Sequence, residues 1–212
     1  MDSFKKSIMR NKSRSDIKTN ISSSYLPLSP GKYSDLYKNE IQLFIKDIED
    51  LTKSDLEAWS KYKNQNFAID LKLILKEYSI GQNEYSLLHL AAKNCRKNFC
   101  QFLIKECRID KDIKCKNKTT PLHLLIRSNI FYKKDYDQNN PIFKTKFLAF
   151  KETFGYLLEN GANVNHQDES ESTCLHYAVA KSNYGAVLVL IDTPGININV
   201  KFFSIFFSIS TN

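Results

Sequence analysis

The sequence predicts an all-α fold: an α-solenoid of helix-turn-helix repeats with short β-hairpin fingers and a helical N-terminal cap. Three observations predict it. A helix-start motif recurs as Ser86-Leu87-Leu88-His89, Thr120-Pro121-Leu122-His123 and Thr173-Cys174-Leu175-His176. Its histidines lie 34 and 53 residues apart, one repeat of about 33 and then the same repeat enlarged by about 20. After each motif comes a second, more apolar segment, and after two of these a Gly-centred turn, Asn160-Gly161-Ala162-Asn163-Val164-Asn165 and Pro194-Gly195-Ile196-Asn197-Ile198-Asn199.

Residues 1–34 read as a disordered basic leader. They are rich in Ser, Lys and Asn, close on Pro27, Pro30 and Gly31, and hold too few apolar groups to offset ordering entropy. Seven basic residues face only Asp2 and Asp16 before position 34, so the leader carries most of the chain's net charge of +8. A globular nucleic-acid reader would carry its cationic face on the fold itself. Contact of the leader with nucleic acid or an acidic membrane stays open as a secondary expectation. Arg10 before Ser13 and Pro30 after Ser29 are short kinase-site contexts, and the two aspartates weigh against a mitochondrial presequence.

Residues 35–82 are expected to form a helical cap or a degenerate first repeat, with a small separate helical domain as the alternative. Ile41, Phe44, Ile45, Ile48 and Leu51 recur at three- and four-residue steps within Leu36–Leu51. Lys46, Asp47, Glu49 and Asp50 fall on the opposite, solvated face. Ser54 and Glu57 fit a capping box, and Leu56, Trp59 and Tyr62 would give that helix an apolar side. Phe67–Tyr78 reads as another helix, with Leu71, Ile74, Leu75 and Tyr78 inward.

The repeats proper occupy residues 83–200. Thr120 and Thr173 suit the N-cap, where a hydroxyl accepts a bond from a first-turn N–H. Pro121 suits the first helical position, where its missing N–H costs nothing. Leu88, Leu122 and Leu175 are expected to point into the stack, and Ala91, Ala92 and Ala178 let the next helix approach. The second helices hold Phe99, Phe102, Leu103 and Ile104; Phe154, Tyr156, Leu157 and Leu158; and Val187, Val189, Leu190 and Ile191. Gly161 supplies the left-handed conformation that ends a helix, and the Asn/Asp pattern after it predicts a tight turn into a short extended hairpin.

With these residues in view, the chain resembles the ankyrin-repeat family over residues 83–200. Thr120–His123 and Leu157–Asn165 meet its helix-start and Gly-Ala-Asn-Val-Asn patterns almost in full. The resemblance implies that His89, His123 and His176 bond backbone around the turns and join neighbouring repeats. It also implies protein binding on a concave face lined by hairpin tips and first helices, here Lys116, Lys118, Arg127, Glu169, Glu171 and Lys181. The family usually carries Gly between its two helices and at the hairpin tip. The matching positions here hold Cys95 and Ser182, and Lys118 and Glu171, each making a left-handed turn costlier by roughly 1 kcal/mol or less. The first repeat, reading Cys107-Arg108-Ile109-Asp110, lacks the Gly-Ala segment, which weakens the hairpin expected there.

The middle repeat carries an insertion at about 130–145, aromatic and polar without periodicity. It is either a binding loop on a rigid scaffold or a tolerated insertion. Cys95, Cys100, Cys107, Cys115 and Cys174 lack the close pairing of a zinc site, and no apolar signal segment precedes them. No metal, cofactor or small-molecule substrate is expected, and neither is a transmembrane segment. A reducing, intracellular and chiefly cytoplasmic setting is expected, with the nucleus as alternative. His166 is expected to be exposed. No phosphate loop or nucleophile elbow is present, so an enzyme is not expected.

The segment 201–212, Lys201-Phe202-Phe203-Ser204-Ile205-Phe206-Phe207-Ser208-Ile209-Ser210-Thr211-Asn212, is an atypical hydrophobic tail, β-prone if exposed. Two expectations stand for it. Either the natural array continues beyond a truncated form, with an activity such as a channel, kinase or ubiquitin-ligase adaptor lying downstream, or the strip docks over the last repeat. The function expected is a non-catalytic scaffold or adaptor binding another protein.

Overall fold

The computed structural model describes residues 37–62, 69–133 and 140–200. The leader, the first residues of the helix expected from Phe67, the middle of the insertion and the tail 201–212 lie outside them. Three helices open the described chain: α1 (Lys38–Glu49), α2 (Asp55–Trp59) and α3 (Ile69–Glu77). A two-stranded antiparallel hairpin follows, β1 (Ser79–Ile80) with β2 (Tyr85–Ser86), Ser79 facing Ser86 and Ile80 facing Tyr85. Three helix pairs complete the stack: α4 (Leu87–Lys93) with α5 (Lys97–Lys105), α6 (Pro121–Ser128) with α7 (Pro141–Glu159), and α8 (Cys174–Ala180) with α9 (Tyr184–Ile191). The fold is the helix-turn-helix solenoid expected. Strand pairing among the described residues is confined to β1–β2; the later fingers are turns.

Most of these helices are too short to persist alone. Those of seven or eight residues span about 10–12 Å, below the length at which an isolated helix holds in water. Packing supplies what length does not. In α4, Leu87, Leu88, His89, Leu90, Ala91 and Ala92 are all buried, and in α6 so are residues Pro121 to Ile126. Such all-round burial requires a covering element on each side. The turns between helices take the left-handed conformation at Cys95 (φ 54°) and Ser182 (φ 52°), and the finger tips take it at Glu84, Lys118 and Glu171 (φ 56°, 54° and 56°). Arg108 (φ 57°) takes the place that Gly161 and Gly195 fill in the later repeats. The turns without glycine therefore adopt the same left-handed backbone as those at Gly81, Gly161 and Gly195 and bear its conformational cost.

At the amino-terminal end, Phe44, Trp59, Tyr62, Phe99 and Phe102 form one aromatic cluster that joins α1 and α2 to α5, with ring centroids 5.1–5.9 Å apart. Arg96 is buried and donates to the carbonyls of Ile48, Asp50 and Lys53, so a guanidinium closes the carboxyl end of α1. Asp55 bonds in the opposite direction. Its carboxylate accepts from the Asn98 backbone N–H and side-chain amide, both at 2.8 Å, at the first turn of α5, whose own N-cap makes no such bond.

Several expectations are corrected here. Asp47 is buried rather than solvated, because Lys61 (2.8 Å) and the Tyr62 hydroxyl (2.6 Å) satisfy its carboxylate. Leu51 and Leu56 are exposed, at 71% and 67%, since α1 ends at Glu49 and α2 turns only Ala58 fully inward. Of the expected Ser54–Glu57 pairing, the Glu57 N–H donating to the Ser54 hydroxyl is present. Leu175 is half-exposed, unlike Leu88 and Leu122, because no described element covers the last helix pair.

The insertion is also more ordered at its ends than its composition implied. Asn140 caps the amide groups of Ile142 and Phe143, so α7 starts at Pro141 and extends the second helix toward its amino terminus. Phe143, Phe147, Phe150 and Phe154 then stack in a row along that helix, against Phe131 from the insertion's first residues. Phe131 is held to the third repeat. Its N–H donates to the Asn183 side chain at 2.9 Å, and its carbonyl accepts from Gly185 N at 3.1 Å. A Cβ at Gly185 would stand 2.7 Å from the Phe131 Cβ, so only glycine admits this approach.

Candidate partner-binding face

Three fingers project side by side from the amino ends of α4, α6 and α8. Each is closed by the same short bond across its tip: Glu84 N to Gly81 O, Lys118 N to Cys115 O and Glu171 N to Asp168 O, at 2.9–3.1 Å. Adjacent tips are stitched together, Lys116 N to Asn83 O (3.0 Å) and Glu169 N to Asn117 O (3.1 Å). These bonds consume backbone groups and leave the side chains to face solvent. Lys116 and Lys118 are exposed on the second tip, and Glu169 and Glu171 on the third.

The histidines set the spacing of the fingers. In each motif Nδ1 accepts from a backbone N–H: Ser86 to His89 (3.2 Å), Thr120 to His123 (3.4 Å) and Thr173 to His176 (3.0 Å). Accepting at Nδ1 fixes the tautomer, so the proton sits on Nε2. Nε2 then donates to a carbonyl farther along the chain: His89 to Thr119 (2.9 Å), His123 to Ser172 (3.1 Å) and His176 to Val200 (3.0 Å). The first two carbonyls belong to the residue preceding the next repeat's helix start. Burial pulls the imidazoles of His89 and His123 down to about 4, which leaves both rings neutral at physiological pH. The rings of His89 and His123 serve as struts between repeats, and that of His176 ties α8 to Val200.

Other polar groups complete the face. The Arg127 guanidinium lies over the Tyr177 ring, 4.7 Å from its centroid, and so joins α6 to α8. The Tyr177 hydroxyl donates to Asp168 at 2.5 Å; burial and this bond push the phenol up to about 12. Asp168 also accepts from the N–H groups of Ser170 and Ser172, which shapes the third tip. His166 is only half-exposed, because its Nε2 donates to the Lys118 carbonyl at 3.1 Å. Lys181 is exposed but caps the far end of α8, a helix about 10 Å long that separates it from the tip. The structure therefore groups Lys116, Lys118, Glu169 and Glu171, brings Arg127 beside Tyr177, and sets Lys181 apart.

Sequence reasoning missed Tyr177, Asp168 and His166 as members of this face. A signal existed for Asp168: it stands three residues before Glu171, as Cys115 stands before Lys118. Among the described residues, no three His, Cys, Asp or Glu side chains gather as a metal site, and no helix is long and apolar enough to cross a membrane. Burial raises the thiols of Cys95 and Cys107 to about 12, and raises those of Cys100 and Cys174 as well, so these sulfurs are poor nucleophiles.

Comparison with known proteins agrees with this geometry. A model of ankyrin repeats in three copies matches residues 60–137, and a second model, of ankyrin repeats in many copies, matches residues 151–191. Together they cover more than half of the chain. The chain belongs to the ankyrin-repeat family. The first match begins upstream of residue 83, inside the segment expected to be a cap or a degenerate first repeat. Among ankyrin-repeat relatives, mouse (Mus musculus) ankyrin repeat domain-containing protein 53 is 30% identical over 103 residues, 49% of this chain and 18% of the relative. A putative ankyrin repeat protein of Acanthamoeba polyphaga mimivirus is 35% identical over 65 residues, 31% of this chain and 16% of its own. The chain thus spans less than a fifth of the length of these curated relatives.

Proposed function

We propose that this chain is a non-catalytic module that binds another protein across the finger tips and first helices of its ankyrin array. One observation carries the reading: the tips are locked in register by their own backbone bonds, while Lys116, Lys118, Glu169 and Glu171 remain exposed. A rigid row of side chains meets a partner with little ordering cost. The second tip is cationic and the third anionic, so the partner would present an acidic patch beside a basic one. Such charges set encounter rate and register more than affinity. Arg127 on Tyr177 supplies a preordered pair of the residue types that dominate interface energetics.

The test is affinity capture with the full chain, followed by charge reversal at Lys118→Glu and Glu171→Lys. Both positions are left-handed, and both old and new residues carry a Cβ, so the backbone cost is unchanged. The expected result is association slowed about tenfold or more for the double variant, with the folded state intact by circular dichroism. Unchanged association by the folded variant would remove the finger tips from the interface.

A further inference from the structure

The last helix pair ends in an apolar groove of about 410 Å³, lined by Leu175, Val179, Ala180, Ile198 and Val200, with His176 at its side. Val179 and Ile198 are 62% and 66% exposed. In the earlier repeats the corresponding face is covered by the next helix pair, which is why Leu88 and Leu122 are fully buried.

We propose that residues 201–212 of this same chain occupy that groove. The occupant follows from where the chain leads. Val200 lines the groove, and its carbonyl accepts from His176 Nε2, the bond that His89 and His123 make to the residue preceding the next helix start. The chain therefore leaves the described residues at the mouth of the groove. The twelve residues that follow reach up to about 40 Å when extended, and α8, of seven residues, is about 10 Å long. Reach is ample.

The segment's pattern suits a surface of this kind. Its apolar residues are Phe202, Phe203, Ile205, Phe206, Phe207 and Ile209, and its one charged side chain is Lys201. Lys201, Ser204, Ser208, Ser210, Thr211 and Asn212 are its polar residues, so the apolar ones concentrate between positions 202 and 209, next to Val200 in the chain. Left in solvent, the same residues would form an aggregation-prone strip. Burying them against Val179 and Ile198 removes two exposed apolar surfaces together.

The experiment uses the full chain. Phe203→Ser with Phe206→Ser should speed hydrogen exchange of the α8 amides by about tenfold or more and raise binding of an apolar dye, while exchange in α4 stays unchanged. Phe206→Glu paired with Val179→Lys should recover much of the protection that either change alone removes, which reports direct contact even if single variants are destabilised. The proposal is overturned if tail amides exchange at random-coil rates in the unaltered chain. It is equally overturned if protection of α8 is lost on dilution together with a monomer–dimer shift in sedimentation, since a second copy would then be the occupant. Protection appearing only with anionic lipid vesicles would overturn it too, by assigning the tail to a membrane. These readouts are independent of whether the finger tips bind a partner.

Discussion

His89 and His123 are fully buried, whereas His176, which makes the same pair of bonds, is half-exposed. The contrast extends to the leucines one residue before them: Leu88 and Leu122 have no exposure, and Leu175 is partly open. The motif therefore determines local bonding, while burial depends on what stands on the next repeat's position. One helix pair cannot bury its own face, and its share of stability comes from its neighbour.

Truncating the leucines breaks this comparison most directly. Leu122→Ala removes a fully buried side chain between two helix pairs and should cost about 2–5 kcal/mol. In a chain also carrying Phe203→Ser and Phe206→Ser, Leu175→Ala should cost about 1 kcal/mol, the share left to a half-buried side chain. In the otherwise unaltered chain it should cost more, by the burial the tail provides. Urea unfolding midpoints at constant slope measure all three. Equal costs for Leu175→Ala in both backgrounds would mean the tail leaves this leucine uncovered.

A pH series acts on the two buried histidines next. Their native values, about 4, lie below the unfolded value of about 6.5. As pH falls past about 6.5, the unfolded chain takes up protons that the native chain refuses, so stability declines until about 4 and then levels off for these groups. Together the two rings should account for a loss of a few kcal/mol across that window. Replacing one of them, His123→Gln, should roughly halve the slope, since the amide keeps a donor for the Ser172 carbonyl without the titration. Asp50, held down at about 2 by its bonds to Thr52 and Lys53, titrates below this window. Denaturant titrations at closely spaced pH values give the slope directly; an unchanged slope in His123→Gln would move the effect to other groups.

The repeats were legible because their motif is local. Thr-Pro-Leu-His places a cap, a first-turn proline, a core leucine and a strut within four residues, and the left-handed turns at Cys95, Ser182, Lys118 and Glu171 follow from alignment to that motif. What escaped depends on contacts distant in sequence. Asp47 looked solvated on its own helix because Lys61 and Tyr62, which bury it, come from beyond α2. Phe131 looked like part of a loop because Asn183 and Gly185, its anchors, lie in the third repeat. The candidate face was half legible. Tip charges follow from register, but Arg127 on Tyr177 requires knowing how α6 crosses α8.

The smallest effect comes from restoring glycine to a finger tip. Lys118 is exposed and left-handed at φ 54°, so Lys118→Gly relieves a Cβ clash but gives the unfolded chain more freedom. Where the native backbone is this unfavourable for a side chain, relief prevails, and a gain of about 0.5–1 kcal/mol is expected. For an array of this size that is a rise of about 1–4 °C in thermal midpoint. The same change removes one charge from the proposed interface. Scanning calorimetry and partner association should therefore move in opposite directions, stability up and association rate down. A tip kept only for folding would gain stability with no loss of association, so this one substitution separates the two reasons for a lysine at that position.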